Sequence, residues 1–168
     1  MGRARASATV APVQDLGAQQ RSLFRRWADG VSVVVAELDG RRHGLTVSSL
    51  TSLSLTPALV GISIALEASL HELLRDAREF GVSMLAGDQQ EIAKHFARSV
   101  PPIALWNGIE VREDDPRLLR GAAGWLTART IDEVRAGDHT FFVAEVLSVE
   151  EGSAPTSLAY LHSRYHAL

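Results

Sequence analysis

The sequence predicts a mostly β domain, an antiparallel barrel with short helices inserted between its strands. Three observations predict it. Apolar runs of strand length, VSVVVAEL (31–38) and ALVGISIA (58–65), recur along the chain. Two longer stretches, about 123–134 and 139–149, alternate with period two and are separated by Arg135-Ala-Gly-Asp138, which reads as a hairpin. The helical segments are short and fall irregularly among the strands, which argues against a doubly wound parallel sheet and for a closed antiparallel barrel with helical caps.

Taken in order, residues 1–14 read as a flexible tail and residues 15–168 as one domain, a length that can enclose a substantial core. Asp15 is placed to cap a helix running to about Asp29, with Leu16, Leu23, Phe24 and Trp27 spaced for one buried face and Gly30 ending it. Asp39-Gly40 marks a hairpin after the first strand. The returning strand spans 43–55 and is broken by Pro57. Ser69 and Glu72 have capping-box spacing at the head of a helix to about Glu79; a strand follows over 80–86. Asp88 and Glu91 repeat the capping pattern for a helix through Phe96. Residues 98–120, with Pro101, Pro102, Gly108 and Pro116, form a loop-rich excursion. A last strand near 158–162 leads into Ser163-Arg-Tyr-His166.

Composition narrows the chemistry. Hydrophobic residues make up 46% and charged residues 22%, which is globular composition, and a net charge of −3 gives no reason to expect nucleic acid or an anionic membrane as partner. There is no cysteine, which removes disulfides, thiolate metal sites and cysteine nucleophiles. No apolar run is long enough for a signal peptide or a membrane span, so a cytoplasmic protein is expected. No G-x-G-x-x-G follows a strand and no phosphate-binding P-loop pattern occurs. Ser48 and Ser49 lack a hydrolase elbow. His71-Glu72 begins a zinc-protease motif, but Arg75 stands where its second histidine belongs. His162 and His166 are four apart at a strand end, a spacing that does not bring two side chains together as it would on a helix. No metal site is expected.

The informative segment is 43–55, where Thr46, Ser48, Ser49, Thr51, Ser52 and Ser54 supply six hydroxyls in nine positions. Strand alternation puts hydroxyls on both faces, which is odd for a core strand. A bend exposing backbone and hydroxyl donors to a polar ligand accounts for this better, although β-propensity and loop-filling serine are the plain alternative.

Gly44-x-Thr46-Val47-x-Ser49-Leu50-x-Ser52-Leu53-Ser54 resembles the signature of the flavin reductase family, the reductase partners of two-component monooxygenases. The likeness runs from Phe24-Arg-Arg-Trp-Ala-x-Gly-Val-Ser-Val-Val to the end of the chain. It takes in His71-x-x-Leu74, Phe80-x-Val82, Phe96-Ala97, Ala136-Gly-Asp-His-Thr140 and Arg164-Tyr-His166. The resemblance implies an FMN-binding split barrel of Greek-key type, homodimeric, in which hydride passes from NADH or NADPH to N5 of FMN or FAD. The reduced flavin then serves a separate monooxygenase.

By the same resemblance, Thr46, Val47, Ser48, Ser49, Leu50, Ser52 and Leu53 line the isoalloxazine and ribityl chain. Glu67, Ala68, Ser69 and Phe96 lie toward the phosphate or adenine end. Gly137, Asp138, His139 and Tyr165 face the nicotinamide, with His139 the residue expected to position it. Glu67 is a poor neighbour for phosphate, so Ser69 at a helix N-terminus is expected to help through backbone donors. Arg98 is the candidate for a compensating charge. Ser83 stands where relatives commonly carry asparagine. A thin phosphate site implies exchangeable flavin. Two other readings use the same segment: an oxidase or oxygenase acting directly with bound flavin, and a non-catalytic flavin- or haem-binding barrel. Trp27, Trp106 and Trp125 read as core residues.

Overall fold

The structure, a computed structural model, describes residues 15–98 and 102–168, so the expected tail lies outside the described residues. Asp15 caps α1 (Leu16–Phe24) as expected, its carboxylate accepting from the Ala18 N–H at 3.0 Å. The helix ends at Phe24, short of Asp29. The buried face expected of it is not there: Leu16, Leu23, Phe24 and Trp27 are 57–70% exposed, because no element among the described residues packs over them.

The described residues form ten strands and four helices. β1 (Asp29–Gly30), β9 (Leu158–Leu161) and β10 (Arg164–Ala167) form a small antiparallel sheet, with β9 central. The main sheet is β3-β2-β6-β7-β8-β5-β4, all neighbours antiparallel. Its members are β2 (Ser32–Leu38), β3 (Arg41–Val47), β4 (Thr51–Leu55), β5 (Ala58–Ala65), β6 (Glu79–Met84), β7 (Gly124–Ala136) and β8 (His139–Glu151). This corrects the closed barrel: β3 and β4 are the two edges of the sheet and do not pair with each other. They are consecutive in the chain, yet three residues turn the backbone away between them. The single strand expected over 43–55 is therefore two strands with a bend at 48–50.

Both predicted hairpins are present. Asp39 and Gly40 take φ of 51° and 75°, the left-handed pair that a tight β2–β3 turn requires. Gly137, with φ of 63°, opens the two-residue turn between β7 and β8. The expected caps of the inserted helices are not formed. α2 (Ser69–Ala77) is capped by Ala68 without a side-chain bond, and Glu72 instead takes His71 Nδ1 at 2.8 Å. α3 (Gln90–Phe96) starts after Gln89, and Glu91 pairs with Lys94. A one-turn helix, α4 (Pro102–Leu105), sits inside the loop-rich stretch.

β2 explains itself from its sequence. Val34 and Ala36 point into a core formed with Val82, Phe80, Ile62, Phe142 and the Leu70, Leu73 and Leu74 face of α2. Val33 and Val35 point the other way, into a second cluster with Ala93, Phe96, Leu105, Leu119 and Leu158. A strand buried on both faces reads as a continuous apolar run, which is what residues 33–36 are. The same arrangement fixes α3 against one face of β3 and leaves the ends of α2 and α3 flanking that strand's free edge. Trp106 and Trp125 are half-buried, the first against Phe96 at 5.4 Å between ring centres.

Candidate functional site

The hydroxyl-rich corner is built from the end of β3, the bend and β4. Thr46 turns its hydroxyl outward to donate to the Ala93 carbonyl of α3 at 2.7 Å, and Val47 is buried in the first core. Ser49 Oγ donates to the Ser63 carbonyl and accepts from the Ser63 N–H, both at 3.0 Å. In register terms, β4 pairs with β5 only up to Gly61. The Ser49 side chain therefore satisfies the β5 backbone where the neighbouring strand has departed. Leu50 packs on the first core. Ser48, Ser52 and Leu53 are exposed, with the β4 register shifting between Ser52 and Ser54. The corner thus offers exposed serines and backbone, while Thr46 and Ser49 hold it in shape.

Beside it lies a cleft of about 380 Å³ lined by β3 at His43–Leu45, by Ala65 and Glu67–Ser69, and by Phe96–Arg98. Four of the five residues assigned to the phosphate end, Glu67, Ala68, Ser69 and Arg98, are gathered here with partly or fully exposed side chains. The fifth, Phe96, is 1% exposed; its ring is a core element that shapes the floor. A Cβ on Gly44 would come within 2.7 Å of that ring, so glycine allows β3 and α3 to meet here. The donor set suits an anion: N–H groups at the start of α2 that no side chain caps, and the Arg98 guanidinium across the gap. Glu67 on the same wall opposes it.

The β7–β8 turn is tied to this cleft. His139 pairs with Ala65 across β8 and β5, and the Leu66 N–H donates to the Asp138 carbonyl at 3.0 Å. Asp138 Oδ1 lies 2.7 Å from His139 Nδ1, and that hydrogen bond holds the carboxyl below its ordinary pKa. An ionised Asp138 accepts, so Nδ1 carries the proton and Nε2 lies outside that bond. One residue on, Thr140 Oγ1 lies 2.8 Å from Nε2 of His71, which is 3% exposed beneath the cleft. Sequence reasoning quoted His71 only as part of a motif; its burial and its long-range partner carry no local sequence signal.

Tyr165 is the outlier. It packs into the second cluster, 5.1 Å from Tyr160, and burial raises its phenol's pKa. Among the described residues no hydrogen bond links it to the turn at Gly137–His139. Among the described residues no cluster of histidine, aspartate or glutamate is arranged for a metal, and no helix is long and apolar enough to cross a membrane.

An antiparallel β domain with an anion-suited cleft, flanked by a neutral hydroxylated corner, has the attributes of a nucleotide-cofactor protein. The comparisons specify the class. Residues 24–168 match the model of the flavin reductase like domain. The reductase component of a 4-nitrophenol 4-monooxygenase/4-nitrocatechol 2-monooxygenase from Rhodococcus opacus is 33% identical, over 88% of this chain and 79% of its own. An NADH-dependent flavin reductase from Pseudomonas fluorescens is 35% identical, over 87% and 86%. The solved NADH:FAD oxidoreductase of Streptomyces globisporus superimposes with a TM-score of 0.84 at 29% identity, covering 98% of this chain and 99% of that one. The chain belongs to the flavin reductase family.

Proposed function

We propose that the protein oxidises NADH, or NADPH, and passes the hydride to FMN or FAD, releasing reduced flavin to a separate monooxygenase in the cytoplasm. The observation that carries this reading is the Leu66–Asp138 backbone bond, which sets the His139 turn against the anion-suited cleft. Bound there, the flavin supplies a two-electron acceptor at its N5.

The chain's own part is positional. Ser48, Ser52 and the bend's backbone offer uncharged donors and acceptors of the kind the pyrimidine edge of an isoalloxazine needs. Ser69 and Arg98 hold phosphate, with Phe96 beneath. Nε2 of His139 accepts from the nicotinamide carboxamide, fixing the ring for transfer across about 3–3.5 Å. Hydride transfer requires no general acid or base at the transferring atom. The split barrel is completed by a homodimer, which covers the apolar side chains this chain leaves bare: Leu16, Leu23, Phe24 and Trp27 of α1 and Leu55 of β4. Light scattering at micromolar concentration should give a mass near twice 18.2 kDa.

The test is NADH oxidation followed with added FMN. Wild type should turn over flavin as an exchangeable substrate. His139→Ala should lower kcat/KM for NADH on the order of 10²-fold, the loss expected when reacting atoms are displaced by about 1 Å, with FMN affinity and melting temperature unchanged. A folded variant with wild-type NADH kinetics removes His139 from the site. Flavin that survives dialysis and turns over without a partner favours the oxidase reading.

A further inference from the structure

The cleft beside the flavin corner does not end at Ser69. A second cleft of about 640 Å³ runs on from it along the edge of β3, and the two share His43 and Ser69 as lining residues. Its walls are the β2–β3 hairpin, at Glu37 and Arg41–His43, with Trp106 and Pro116 opposite.

Its platform is already built. The Arg42 guanidinium lies 3.8 Å from the centre of the Trp106 ring, and its Nη1 donates to the Pro116 carbonyl at 3.0 Å. Trp106 in turn donates from Nε1 to the Arg42 carbonyl at 3.1 Å, which holds indole and backbone together. The result is a flat cation fixed on an aromatic base, with most of its five donors still unused. Arg41, on the opposite face of the strand, is exposed at the mouth. Glu37 supplies a carboxylate acceptor at the far wall.

We infer that this second cleft holds the adenosine monophosphate half of FAD, so that the reductase prefers FAD to FMN. The inference rests on the flavin-reductase reading of the first cleft. From Thr46 at the corner to Arg41 at the hairpin, β3 covers about 17 Å at ~3.4 Å per residue. That is the scale on which an extended dinucleotide runs beyond its ring and first phosphate. The second phosphate meets Arg41, adenine stacks on the Arg42 plane, and Glu37 accepts from the exocyclic amine. FMN ends in the first cleft and leaves the second vacant.

Equilibrium titration of FAD and FMN against the full chain, read by flavin fluorescence, is the direct test, with Arg41→Ala and Glu37→Gln alongside. Both substitutions are at exposed positions, so folding is not at stake. Wild type should bind FAD about tenfold more tightly than FMN, and Arg41→Ala should remove about tenfold from FAD affinity while FMN stays within about twofold. AMP should compete with FAD and leave FMN in place. Equal affinity for the two flavins, equal loss of both in Arg41→Ala, or a change confined to the KM for NADH overturns the assignment. If FMN binds and is reduced without any FAD preference, this inference alone falls. If neither flavin binds, the reductase reading falls with it.

Discussion

The hydroxylated corner and the charged cleft next to it were both expected to touch flavin, yet they spend their polar groups differently. At the corner, Thr46 and Ser49 are consumed by the protein itself: one ties β3 to α3, the other replaces a missing strand beside Ser63. In the cleft, Glu67, Ser69 and Arg98 are exposed and line open volume. A run of hydroxyls therefore mixes framework residues with exposed ones, whereas the charges beside the uncapped helix end all stay open to the cleft. Residue type alone does not separate these roles. The hydrogen-bond partner does.

The largest effect that would sharpen the contrast lies in the cleft. Arg98→Ala should weaken FMN about tenfold and leave riboflavin unchanged, because only FMN carries the phosphate. Glu67→Lys should act in the opposite direction on the same ligand. Equal effects on FMN and riboflavin in isothermal titration would break the distinction, since the charges would then be acting on something other than phosphate. At the corner the order of effects should reverse. Ser49→Ala strips partners from a half-buried backbone N–H and carbonyl, at a cost of about 1–3 kcal/mol in denaturant unfolding. Ser48→Ala, at an exposed position, should be neutral in stability and weaken flavin only a few-fold. A destabilised Ser48→Ala would mean that the exposed serine is framework too.

The smallest effect concerns acid. The His139 hydrogen bond lowers the pKa of Asp138, and the His71 bond, with help from Arg75, lowers that of Glu72. A carboxyl held lower in the folded state contributes stability that is complete above its unfolded value, 3.8 for Asp138 and 4.5 for Glu72. That contribution is lost as pH falls through the lower folded values. Melting temperature should therefore begin to decline below about pH 4.5. Asp138→Asn should change the slope only slightly, because the carboxylate is exposed and solvent screens it.

Much of this was readable from residues alone. The double-sided apolar run of β2, the Asp39-Gly40 and Gly137-Asp138 turns, and the bend in 43–55 follow from local pattern and turn chemistry. What was not readable depends on distant partners. Ser69 and Glu72 have the spacing of a capping box, but His71 lies closer to Glu72 and takes its carboxylate. β1 and β10 are two and four residues long and exist only because β9 lies between them. The apolar spacing of α1 is real, while its burial needs a surface that the described residues do not provide. Closure of the sheet was inferred from strand content, and strand content says nothing about whether the first and last edges meet.

The position of β2 has a consequence for how the molecule comes apart. Because alternate residues of one strand belong to two different apolar clusters, neither cluster can loosen while the other stays intact. Pulling Val33 and Val35 out of one requires withdrawing Val34 and Ala36 from the other. The strand is thus a shared partition, and it couples the cluster under α2 to the cluster under α3 and α4 in one cooperative unit. Ligand held at the edge of β3, the direct neighbour of that partition, resists unfolding of the whole chain and not of a local flap. A flavin bound there, as proposed, would stiffen both clusters on binding and release both on leaving.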